Sequence, residues 1–99
     1  MGSLFQNITG RKVTLIEDEV DVCLVLKAYL MRKECKVQIC HTIQTAFREM
    51  GDFAPEIVVV NPDYYDDRKV LIQKILTVSP SVVLIVSGRY MIYSNADFL

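Results

Sequence analysis

The chain has 99 residues, 52% of them apolar, and 11 Lys and Arg against 12 Asp and Glu leave a net charge of −1. That length supports one small domain with one core. The near-neutral balance excludes both a disordered, charge-rich chain and a broad basic field for nucleic acid. No apolar run is long enough to cross a bilayer, and no basic-then-apolar leader opens the chain. The three cysteines (Cys23, Cys35, Cys40) are an odd set without metal-ligand spacing, so reduced thiols and a cytoplasmic location are expected.

Taken in order, residues 12–16 (KVTLI) read as a first strand ending in the acidic run Glu17, Asp18, Glu19. From Val20 the period changes. Val22, Val25, Leu26, Tyr29 and Leu30 fall on one stripe of an amphipathic helix, with acids at its start and Arg32 and Lys33 at its end. Residues 37–40 alternate as a second strand. Thr42 is a candidate N-cap for a helix striped by Ile43, Ala46, Phe47 and Met50, and Gly51 is expected to end it as the C′ residue.

Pro55 then blocks helix, and Ile57, Val58, Val59 and Val60 form a continuous β-branched run. Such a run reads as a central parallel strand buried on both faces. Pro62 has no N–H to donate and ends it, leaving Asn61 at the carboxyl tip. In open α/β sheets ligands bind at that edge. A polar loop follows, then a third helix striped by Leu71, Ile72, Ile75 and Leu76, and a fourth buried strand at residues 82–86 ending at Ser87 and Gly88. Alternating strands and helices of these lengths imply βαβ units and a parallel sheet. After Gly88 the pattern fails. Residues 89–95 are too few for a helix with its connections, and residues 96–99 are the expected final short strand.

From residue 12 to residue 87 the chain resembles the receiver domain of bacterial two-component response regulators. An acidic pair after strand one (Glu17, Asp18), a strand ending at the phosphoacceptor position (Asn61) and a hydroxyl after strand four (Ser87) occur in that family's order and spacing. The resemblance implies an α/β fold with a doubly wound parallel sheet, flavodoxin-like in its 2-1-3-4-5 order and truncated after strand four or five. Residues 1–11 would be an N-terminal extension. Residues 12–99 would form one receiver-like domain lacking most of helix four and all of helix five.

In active members the acidic pair and an acceptor aspartate hold Mg²⁺. The aspartate takes a phosphoryl group, and the metal and a lysine neutralise the developing charge. By resemblance Glu17 and Asp18 match the acidic pair, Ser87 the switch hydroxyl and Phe98 the switch aromatic. Asn61 stands at the acceptor position and departs from the pattern. Its amide oxygen is uncharged and its nitrogen lone pair is delocalised, so neither atom is a nucleophile. The lysine is absent from these residues.

The leading expectation is a degenerate receiver-like domain in phosphorelay signal transduction, acting by phosphorylation-independent protein–protein interaction and not as an enzyme. The alternatives are a functional phospho-receiver using a displaced acid (Asp63, Asp66 or Asp67) and a phosphoryl-transfer enzyme. No cofactor is required, and weak Mg²⁺ binding is the most two carboxylates would support. Tyr90, Met91, Ile92 and Tyr93 are expected as a contact surface, or as packing that replaces the lost helix. Partners would be signalling proteins and a second copy of the chain, with neither nucleic acid nor membrane. The homodimer expectation rests on the view that Val13, Leu15, Val58, Val60 and strand four share a face lacking the fifth helix.

Overall fold

The computed structural model describes residues 8–60, 68–78, 83–86 and 91–93. They form β1 (Lys12–Ile16), α1 (Val20–Arg32), β2 (Lys36–Cys40), α2 (Ile43–Phe53), β3 (Ile57–Val60), α3 (Arg68–Val78), β4 (Val83–Val86) and β5 (Met91–Tyr93). The strands make one sheet in the order β2-β1-β3-β4-β5. The first four run parallel, and β5 runs antiparallel to β4.

That last pairing corrects the expected all-parallel sheet and places a strand at Met91–Tyr93, where none was expected, while the strand expected at residues 96–99 lies outside the described residues. The reason is the length of the connection. Only residues 87–90 separate the two strands, and a parallel return needs a crossover of about a dozen residues or more. Residues 94–99, including Phe98, lie outside the described residues, as do Asn61, Ser87 and Tyr90.

Parallel strands buried on both faces need cover on both. On one face Ile16, Cys40, Val58 and Val60 pack with Ala46 and Met50 of α2 and Leu71, Ile72, Ile75 and Leu76 of α3. On the other, Val13, Leu15 and Ile57 pack with Leu30 of α1 and with Ile8 and Cys35. The expected grouping of Val13 and Leu15 with Val58 and Val60 is therefore wrong. Register pairs Thr14 with Val58 and Ile16 with Val60, and alternation sends those residues to the face opposite Val13 and Leu15. Val13 and Leu15 are fully buried, not bare.

Helix α2 follows its stripe. Thr42 caps it, its Oγ1 accepting from the Thr45 N–H at 3.1 Å. Its end differs from expectation: Gly51 is helical, and the chain leaves at Ala54, left-handed at φ 53°, whose N–H donates to the Met50 carbonyl. Pro55, two residues beyond Phe53, cannot extend the helix and sets the stop there.

Helix α1 keeps Val22, Leu26 and Leu30 of its stripe turned inward and leaves the rest of it outside. Cys23 and Leu30 are buried and Leu26 is half-buried, while Val25 and Tyr29 are exposed. Its sequence is apolar on almost every side, so periodicity alone does not choose a face. It ends in a Schellman turn. The Glu34 N–H bonds the Met31 carbonyl and the Cys35 N–H the Leu30 carbonyl, with Glu34 left-handed at φ 61°. Gly10, at φ 77°, turns the preceding segment so that its N–H reaches the Lys33 carbonyl. Residues 8–11 are thereby tied to the end of α1, and Ile8 enters the core.

Candidate functional site

Register brings Ile16, Val60 and Val86 level at the carboxyl end of three adjacent strands. The residues that follow each in sequence are Glu17, Asn61 and Ser87, of which Glu17 is described.

Glu17 and Asp18 do not share one environment. The Glu17 N–H donates to the Cys40 carbonyl at 3.1 Å, which extends the β1–β2 ladder by one residue. Its side chain is 3% exposed, and its Oε1 accepts from the Glu19 N–H at 3.3 Å. A buried carboxylate needs such donors. This one sits at the start of α1, where the helix dipole favours negative charge. Asp18, the next residue, is exposed. Glu19, the N-cap, makes no side-chain capping bond.

The Glu17 carbonyl is a second focus. It accepts from His41 Nδ1 at 3.0 Å and from the Cys23 thiol at 3.4 Å, and Cys23 Sγ lies 3.9 Å from His41 Nδ1. A thiol beside an imidazole invites comparison with a catalytic pair. The electrostatics oppose it: burial, and then the charges of Glu17 and Asp18, push the Cys23 thiol up, which keeps it protonated and a poor nucleophile. Cys40, also buried, is pushed up to about 11, chiefly by desolvation and then by Glu49. All three cysteines are free thiols.

His41, the single histidine of the chain, belongs to no motif along it. It is exposed, yet it ties the end of β2 to the end of β1 through the Glu17 carbonyl. The contact becomes legible only once β2 is known to lie beside β1.

Mg²⁺ prefers several oxygen ligands arranged octahedrally. Among the described residues no three His, Cys, Asp or Glu side chains gather as a metal-binding group. Glu17 and Asp18 offer carboxylate oxygens at one edge, the former already accepting a backbone N–H. Met91, Ile92 and Tyr93 form the edge strand β5. Among the described residues no helix is long and apolar enough to cross a membrane. Comparison with known proteins finds no family model that matches the chain and no curated protein that matches it.

Proposed function

We propose that the chain is a degenerate receiver-like domain of two-component, phosphorelay signalling, acting in the cytoplasm through phosphorylation-independent contacts with signalling proteins and with a second copy of itself. In this reading it is not an enzyme and needs no cofactor. The observation that supports it most is the register of Ile16, Val60 and Val86 at one end of the sheet. The acidic pair Glu17 and Asp18, Asn61 and Ser87 directly follow those three strand ends. In an open α/β sheet that edge is where a ligand site forms. The 2-1-3-4 order of the parallel strands is that of flavodoxin-like sheets.

Function then turns on Asn61. An amide there removes the nucleophile that an aspartyl phosphate requires, so the domain signals by what it contacts. Intact mass spectrometry after incubation with acetyl phosphate and Mg²⁺ tests this. The expected result is no gain of a phosphoryl group. A hydroxylamine-sensitive adduct mapped to Asp63, Asp66 or Asp67 would replace this reading with that of a working phospho-receiver.

A further inference from the structure

Helix α1 carries two apolar sides. Leu30, Leu26 and Cys23 turn toward the sheet. Away from it, Leu24, Val25 and Tyr29 remain 58%, 70% and 41% exposed, and Ala28 is exposed between them. Residues 21, 25, 28 and 32 follow the four-three-four spacing that lines side chains along one side of a helix. That line reads Asp21, Val25, Ala28, Arg32, an acid in the first turn and a base in the last with small apolar residues between. Asp21 and Arg32 are exposed, and neither makes an ion pair with another described residue.

A line with an anion at one end and a cation at the other complements itself when turned end for end. We infer that α1 packs antiparallel against α1 of a second copy, about a two-fold axis between residues 26 and 27. Asp21 then lies opposite Arg32 of the second copy, twice by symmetry. Val25 lies opposite Ala28, with Leu24 flanking the seam on one side and Tyr29 on the other. Such a contact is isologous and closes, so it yields a dimer and not a fibre. The small Ala28 lets the helices approach, and the spacing suits the shallow crossing of coiled-coil packing. Antiparallel macrodipoles also favour this sense over the parallel one.

The pairing draws on α1 alone and stands whether or not the domain is receiver-like. It also places the self-contact on α1, where the sequence pointed to Tyr90, Met91, Ile92 and Tyr93. One helix pair buries less than the roughly 1,600 Å² of a standard interface, so the dimer is a reversible one of micromolar strength.

Two charge reversals test it in the full chain by sedimentation velocity from low to high micromolar concentration. Wild type should show a concentration-dependent dimer. Asp21→Arg alone and Arg32→Asp alone should each weaken self-association on the order of tenfold or more, because like charges then face each other at both ends. An equimolar mixture of the two variants should recover it, since each supplies the charge the other lacks. Both positions are exposed, so far-UV circular dichroism should be unchanged. A wild type that is monomeric throughout, a reversal that leaves the dimer intact, or a mixture that stays monomeric overturns the pairing.

Discussion

On one face of the sheet α2 and α3 lie over Ile16, Val58 and Val60, and ten residues there are buried together. On the other, among the described residues, α1 with Ile8 and Cys35 covers Val13, Leu15 and Ile57, while Val37, Ile39 and Val59 are only partly buried against them. The difference lies in cover and not in a shortage of apolar strand residues beneath α1, for the polar pair Thr14 and Gln38 sits on the two-helix face. Two helices side by side seal a face. A single helix that is apolar all round seals the strands directly beneath it and carries surplus apolar surface to the outside.

The sharpest way to break this comparison is to cut equivalent side chains on each face. Ile75→Ala, in the fully buried centre of the two-helix face, should cost about 3–4 kcal/mol by denaturant unfolding, as large-to-small changes in sealed cores do. Leu26→Ala, on the half-covered face, should cost about 2 kcal/mol or less, because part of that side chain already meets water. Equal losses would mean that the two faces are sealed alike.

Next in size are the helix ends. Gly51 lies inside α2, and a Cβ built there meets nothing within 4 Å. Gly51→Ala should therefore stabilise by about 0.5–1 kcal/mol. Ala54→Gly, relieving a left-handed Ala, should stabilise by about 1 kcal/mol. Opposite signs in thermal melts would return the C′ position to Gly51.

Smaller still is the outer side of α1. Val25→Gln should change monomer stability by no more than about 0.5 kcal/mol, as exposed sites usually do, while weakening self-association. A large loss of stability would show Val25 to be covered within the monomer.

The smallest effect concerns the foot of the sheet, where Arg11 bridges Glu56 at 2.6 Å. The guanidinium hydrogen bond, followed by that of the Lys12 N–H, holds the Glu56 carboxyl below its ordinary range. Its folded pKa lies below the unfolded one, so the unfolded state binds the proton more readily. The contribution is present above the unfolded pKa and is lost as pH falls through the folded value. Glu56→Gln should flatten the acid limb of the stability–pH curve slightly, and an unchanged limb would assign no role to the bridge. Both partners are exposed, which keeps the effect small.

Much of this was legible along the chain because it is local. The β-branched run at residues 57–60, the Thr42 cap and the stripes of α2 and α3 each announce their element through period and chemistry. The acidic run after β1 announces a tip. Where neighbours decide, the sequence is mute. Glu17 and Asp18 are adjacent acids, yet one turns inward to the Glu19 N–H and the other faces solvent. His41 meets the Glu17 carbonyl because β2 lies beside β1.

What the sequence by itself determined is the alternation of strands and helices, and that residue 61 is an amide, which is no nucleophile. Amide reactivity and residue period do not depend on what lies nearby. The tertiary structure alone decided which side of α1 meets the sheet, that Val58 and Val60 share a face with Ile16 and not with Leu15, and that β5 returns antiparallel. The physical reason is common to all three. A side chain's face is set by register and packing against distant strands, and the sense of β5 by the length of the connection between two strands already paired in space.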